Sequence, residues 1–261
     1  MNPNEMSIGD LVDYAPPLCF EEDFPFVWQM TRAERFCFLH LIKQFKPELA
    51  LEIGTSKGGS LQVLSRYAAE VISIDIDPAV EAALTGAFPN VAFRSGDSTE
   101  LLPLVVKEIN QSGKSLGFVL IDGDHSESGV RRDINAVLQL KPKRPIAVVL
   151  HDSFHPPCRE GMLTAAWADC PYVHYVELDF VGGIFVPGRA TVDGSMVSGL
   201  GFALLLPEKR AGELKILQSQ SHKFQIVRRF AGRSNFLKRD FVSLLLNPLR
   251  RAKTKLQGLF G

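Results

Sequence analysis

Short runs rich in Val, Ile and Leu alternate with helical stretches through the middle of this chain, and that alternation constrains its fold more than any other feature. Leu49–Ile53, Val71–Ile76, Val91–Arg94, Gly117–Ile121 and Ile146–Leu150 read as strands. Between them, the spacing predicts helices over Gly58–Ala68, from Pro78, over Thr99–Ile109 and over Ser126–Leu140. Strands rich in Val and Ile, separated by helices, specify βαβ units and a parallel sheet. Right-handed crossovers then put helices on both sides, a doubly wound α/β fold. A further helix is expected from Thr31 to Phe45, where Thr31 and Glu34 form a capping box, Phe36, Leu39, His40 and Lys43 lie on neighbouring turns, and Pro47 marks the stop.

In open α/β sheets, ligands bind beyond the carboxyl ends of the strands, where strand order reverses. Those ends form a coherent set here. The first strand runs into Glu52, Gly54, Thr55, Ser56, Gly58 and Gly59, and the second ends in Asp75 and Asp77. Gly96, Asp97 and Ser98 follow the third, Asp122, Asp124 and His125 the fourth, and His151, Asp152 and Ser153 the fifth. Glycines at 54 and 58 allow close backbone approach, and the following helix offers its amides. The loop lacks the Gly-x-Gly-x-x-Gly dinucleotide fingerprint, which disfavours pyrophosphate and an oxidoreductase. Asp75 stands about 20 residues past Gly54, the place for a carboxylate that accepts from ribose hydroxyls.

Glu52-x-Gly54-x-x-x-Gly58, Asp75 and Gly96-Asp97-Ser98 resemble the motifs of class I S-adenosylmethionine-dependent methyltransferases. The resemblance covers roughly residues 48 to 206. It implies a Rossmann-like, mostly parallel seven-stranded sheet whose last strand, near Gly201–Leu206, is antiparallel. It further implies that Glu52, Gly54, Thr55, Ser56 and Gly58 face the methionine part of the cofactor. Asp75 would hold the ribose, Asp97 and Ser98 would flank the adenine, and Asp122 would border the cofactor. Asp122-Gly-Asp124-His125 followed by His151-Asp152 is similar to the metal-dependent O-methyltransferases, in particular the subgroup with macrolide-sugar O-methyltransferases and cephalosporin hydroxylase-like proteins. By that resemblance Asp122 is a metal ligand, His125 the base, and His151 and Asp152 fall on the ligand pair of the fifth strand.

The chemistry gives this set a purpose. A sugar or aliphatic hydroxyl does not lose its proton unaided near neutral pH; a divalent cation stabilises the developing alkoxide and an imidazole takes the proton. Oxygen-rich ligands favour Mg²⁺. His151, an imidazole where the subgroup has a carboxylate, softens the site and leaves Mn²⁺, Fe²⁺ or no metal open. Its other reading is a histidine that orients Asp152, and Asp124 either meets the cofactor or caps the helix at Ser126. A zinc reading of His151, His155 and Cys158 is disfavoured by Pro156-Pro157, which are expected to interrupt a helix there.

The formal charge of zero hides an asymmetry. From Pro207 onward 13 Lys/Arg face 3 Asp/Glu, so the last 55 residues carry +10 and the rest −10. Three regions are expected: an N-terminal segment on the substrate side (1–47), the methyltransferase domain (48–206) and a basic, partly helical tail (207–261). Between 235 and 253 apolar residues recur near helical spacing with basic flanks. That pattern suits either an anionic membrane surface or packing on the domain or a second subunit. Nucleic acid is a poor partner for an acidic body without a stacking motif. Cysteines 19, 37, 158 and 170 lack a Cys-x-x-Cys spacing and read as reduced thiols of a cytoplasmic protein. The expected function is O-methylation of a sugar or other small-molecule hydroxyl; a non-catalytic cofactor-binding subunit tethered by its tail is the alternative.

Overall fold

The computed structural model describes residues 24–186 and 196–230. The first helix, α1 (Arg32–Phe45), begins at the expected capping box: Glu34 N donates to Thr31 Oγ1 and Thr31 N to Glu34 Oε2. Its buried face differs from expectation. Glu34, Phe38, Leu39, Leu41 and Ile42 turn inward, whereas Phe36 is 60% exposed. The inward set packs on the sheet, and Phe38 meets Phe118 edge-on at 5.4 Å between ring centroids.

Five parallel strands follow: β1 (Leu49–Ile53), β2 (Glu70–Asp75), β3 (Val91–Ser95), β4 (Leu116–Ile121) and β5 (Ile146–His151). They are connected by α2 (Leu61–Tyr67), α3 (Pro78–Leu84), α4 (Ser98–Gln111) and α5 (Glu127–Val137). Every residue of β1, β4 and β5 is buried, which is why these segments read as largely apolar runs, interrupted only by Glu52 in β1 and ended by His151 in β5. Period-two alternation splits them between two cores. Leu49, Leu51, Ile53, Val148 and Leu150 join α4 and α5 through Leu102, Val106 and Ile134. Ala50, Phe118, Leu120 and Val149 join α1 and α2 through Phe38, Ile42, Leu61 and Leu64.

After β5 come α6 (Pro156–Leu163), β6 (Val173–Val181), the short pair β7 (Ile184–Phe185) and β8 (Met196–Val197), then β9 (Leu200–Leu205) and β10 (Ile216–Leu217). The main sheet has the order β3-β2-β1-β4-β5-β9-β6-β10. β9 is the antiparallel strand, paired on both sides with β5 and β6. The expectation of seven strands falls short by one, because β10 adds a parallel edge beside β6. Two residues give no periodicity to read. Tertiary contacts hold this strand: Ser219 N donates to Glu177 Oε1 and Gln220 N to Asp179 Oδ2, and the buried Arg159–Asp179 pair (2.8 Å) stands alongside.

Pro156 and Pro157 correct a second expectation. They occupy the first turn of α6, where a missing N–H costs nothing, and so begin that helix instead of interrupting it. A helical stretch over 221–230 covers the short β7–β8 pair through Phe154, Met196 and Phe224. The amphipathic segment expected at 235–253 lies outside the described residues. Among the described residues no helix is long and apolar enough to cross a membrane.

Candidate active site

Strand order reverses between β1 and β4, and a cavity of about 680 Å³ opens there beyond the strand ends. One part of its wall is backbone held in unusual conformations. Gly54 (φ +85°) lies so close to β4 that a Cβ would stand 2.1 Å from the Asp122 carbonyl oxygen. Ser56 (φ +48°) and Gly58 (φ +76°) also turn left-handed. The carboxylate at the end of β2 fixes this loop: Thr55 N and Ser56 N both donate to Asp75 Oδ2 at 2.9 Å, and Asp77 N donates to Oδ1 at 2.9 Å. Gly54, Thr55, Ser56, Asp75, Asp97, Ser98 and Asp122 all line the cavity.

Glu52 and Gly58, expected to face the cofactor, do not line the cavity. Glu52 lies fully buried beneath the loop and accepts from Ser60 Oγ (2.5 Å) and Ser73 Oγ (3.2 Å). Burial pushes its pKa up to about 7 against the pull of those hydroxyls. Gly58 faces Leu84 and Phe26 instead, within 3.5 Å of where its Cβ would be. Both motif positions therefore support the loop from behind. Asp97 caps α4 by accepting from Thr99 N, which holds its pKa below the usual value, and Ser98 Oγ donates to Asp133 Oδ1. Asp124 accepts from Ser126 N while also lining the cavity.

The other part of the wall is charged. Asp122, His125, His151 and Asp152 each offer a ligand atom, and these four atoms lie within 4.8 Å of one another. His125 Nε2 is 2.8 Å from Asp152 Oδ2, and His151 Nδ1 is 2.9 Å from Asp122 Oδ1. The hydrogen bond to Asp152 raises the His125 pKa against partial burial. Burial draws the His151 pKa down, but Asp122, Glu34 and Asp152 outweigh it and hold it well above the ordinary value. Asp152 loses its proton more easily than usual, at about 2, because His125, His151 and the Ser198 amide overcome its burial.

This end draws on residues the sequence did not assign to the site. Glu34, fully buried, sends Oε1 to Gly199 N (2.6 Å) and to within 3.4 Å of His151 Nε2. Its sequence signal, the capping box, is genuine but accounts for only one of its two oxygens. Asp152 (φ +57°) and Ser198 (φ +64°) face each other in left-handed conformations, and Ser198 N donates to Asp152 Oδ1. Non-glycine residues held there cost free energy that the surroundings must offset. Val27, Gln29, Met30 and Val197 complete this end of the cavity. The zinc alternative does not assemble: His155 Nδ1 pairs with Cys158 Sγ at 3.2 Å, apart from the four-residue group.

Comparison with known proteins agrees with this architecture. Residues 51–154 match the family model described as a methyltransferase domain. An O-methyltransferase from Bacillus cereus, solved in complex with SAH, is 15% identical with a TM-score of 0.54, over 76% of this chain and 96% of its own. The O-methyltransferase TomG from Streptomyces achromogenes, solved with SAM, is 17% identical with a TM-score of 0.50, over 71% of this chain and 85% of its own. Cofactor-bound Rv0187 from MTB is 17% identical with a TM-score of 0.52, over 80% of this chain and all of its own. No curated protein matches the chain in sequence. The β3-β2-β1-β4-β5-β9-β6 sheet with its antiparallel β9 is the fold these neighbours share, and within it residues 51–154 match a methyltransferase domain.

Proposed function

We propose that the protein transfers the methyl group of S-adenosylmethionine to a hydroxyl of a sugar or another small molecule. The observation that carries this reading is the sharing of one cavity by the glycine loop with Asp75 and by the group Asp122, His125, His151 and Asp152. The first part suits a nucleoside cofactor: backbone amides and a fixed carboxylate lie at the strand ends, with Gly96, Asp97 and Ser98 beside them. The second part is suited to remove a proton from a weakly acidic oxygen. The O-methyltransferase descriptions of the structural neighbours favour oxygen as the acceptor atom.

Methyl transfer from a sulfonium needs a nucleophilic oxygen in line with the departing sulfur, so positioning supplies much of the rate. His125 is the proposed base. Its side chain is half-exposed at the cavity, and Nε2 is committed to Asp152 at 2.8 Å, which leaves Nδ1 for the acceptor proton. A histidine oriented by a carboxylate is the arrangement that makes an imidazole an effective base. Ser198 N, by donating to the other oxygen of Asp152, keeps that carboxylate in place. Asp122 and Asp152 with His151 have the donor types and mutual spacing to hold a divalent cation. When bound, such an ion supplies Lewis acidity that lowers the acceptor pKa. Met30, Val27 and Val197 line the cavity and would give the acceptor an apolar flank.

The test is transfer of labelled methyl from S-adenosylmethionine to a panel of sugars and small alcohols, with and without added divalent metal. The expected result is label on oxygen, depending on both His125 and Asp122. Full transfer by His125→Ala and Asp122→Ala on the same acceptor would overturn the mechanism.

A further inference from the structure

Glu34 is a carboxylate with no solvent exposure, placed by the first turn of α1 deep beside the acceptor end of the cavity. Burying an ionised carboxylate costs several kcal/mol unless it is well partnered. Its capping role does not explain that location. A helix start needs one oxygen for the box, Gln serves as well as Glu there, and caps do their work at the surface. The second oxygen is the informative one. Oε1 accepts from Gly199 N, 165 residues away in the chain, and faces His151 Nε2 at 3.4 Å. That ring nitrogen is buried, and its alignment with Oε1 falls short of a hydrogen bond; among the described residues it has no other partner.

His151 thus has two differently committed nitrogens. Nε2 is aimed at Glu34, and Nδ1 is aimed at the carboxylates, 2.9 Å from Asp122 Oδ1 and 3.7 Å from Asp152 Oδ2. Two donors about 2.1 Å from a common ion stand roughly 3.0 Å apart at a right angle and roughly 3.4 Å at the tetrahedral angle. The Nδ1 distances bracket these values. A metal-bound histidine characteristically presents its other nitrogen to a carboxylate, which fixes ring orientation and tautomer. His125 contrasts with it: its side chain is 49% exposed against 5% for His151, and among the described residues no carboxylate lies within ion-pair distance of its second nitrogen.

We infer that Glu34 is a positioning residue, reaching from the N-terminal helix to orient His151 so that Nδ1 joins Asp122 and Asp152 as a ligand of one divalent cation. The inference rests on the proposed function for the location of the site. An imidazole in the ligand set shifts preference from Mg²⁺ toward borderline ions such as Mn²⁺, Fe²⁺ or Zn²⁺. The ion takes the place of the Nδ1 proton. Through Glu34 the helix that precedes the sheet becomes part of the site, and its contact with Gly199 ties the β8–β9 connection to the same carboxylate.

The experiment uses the full chain and Mn²⁺ alone as probe, with affinity measured from free Mn²⁺ by electron paramagnetic resonance and imidazole ligation from nitrogen spin-echo modulation. Glu34→Gln keeps the capping box but removes the charge. It is expected to weaken Mn²⁺ binding roughly ten- to a hundredfold while S-adenosylhomocysteine affinity stays unchanged; the thermal transition falls somewhat, because the amide has one acceptor oxygen for the two backbone N–H groups of Thr31 and Gly199. His151→Asn is expected to abolish the nitrogen modulation and His125→Asn to retain it; should His151→Asn not fold, Glu34→Gln decides. Undiminished Mn²⁺ affinity in Glu34→Gln, no imidazole modulation in the wild type, or no Mn²⁺ binding at all overturns the inference. Failure to bind S-adenosylhomocysteine would instead remove the methyltransfer reading and leave the Mn²⁺ results standing by themselves.

Discussion

The two ends of the cavity are built on opposite principles. At the ends of β1, β2 and β3 the wall is backbone: Gly54 and Ser56 in left-handed conformations, with amides gathered on one carboxylate, Asp75. At the ends of β4 and β5 it is side chains, with Asp122, His125, His151 and Asp152 packed together and Glu34 brought in from another helix. At the first end Gly54 tolerates no added atom, whereas the second depends on charge and placement more than on shape. A rigid backbone cradle suits a cofactor that is the same in every turnover. A cluster of ionisable groups suits the step in which a proton moves.

That contrast gives predictions that separate the two ends. The largest effect is expected at Gly54. Ala would place Cβ against the Asp122 carbonyl in a conformation that L-residues avoid, so Gly54→Ala should abolish cofactor binding by calorimetry. Next is His125→Ala, expected to lower kcat by roughly 10²–10⁴-fold while cofactor affinity holds. If His125→Ala instead weakened cofactor binding as Gly54→Ala does, the division into two ends would fail.

A smaller effect is a pH dependence of stability from beneath the cradle. Glu52 has a pKa near 7 in the folded chain against an ordinary value of 4.5, so the native state holds a proton the unfolded chain releases between those limits. Its contribution is complete below pH 4.5 and is lost as pH rises to 7, a change of about 3 kcal/mol as an order of magnitude. Denaturant unfolding across pH 4.5 to 8 should show that slope in the wild type and a flatter one in Glu52→Gln. Equal slopes would remove the linkage.

The smallest effect concerns Asp75→Asn, which keeps one acceptor oxygen but removes the charge that gathers two loop amides. Charge-assisted hydrogen bonds of this kind are worth about 1.5–3 kcal/mol, so cofactor affinity should fall roughly tenfold to a hundredfold with kcat little altered. A kcat defect at saturating cofactor would mean that the two ends are not separable.

The contrast also governs what the sequence could disclose. Fully buried strands announce themselves as short, mostly apolar runs, so β1, β4 and β5 were legible, as was the position of Asp75 relative to Gly54. Glycines and acidic residues at strand ends carry position in their spacing, because the strands themselves deliver them. Side chains that reach the site from elsewhere have no such signal. Glu34 looked like a helix cap because it is one, and nothing local records that its other oxygen meets Gly199. Ser198 lies in a glycine-rich stretch with no helical or strand periodicity to mark it, yet its amide holds Asp152. Glu52 and Gly58 illustrate the converse: their motif positions were recognised, but burial puts both behind the wall.

The central claim meets its most direct test in a crystal structure of the protein with S-adenosylhomocysteine. The account predicts the ribose hydroxyls on Asp75, the adenine beside Asp97 and Ser98, and the sulfur end directed toward Asp122 and His125. A ligand seated elsewhere, or one whose sulfur points away from His125 and Asp152, would contradict it.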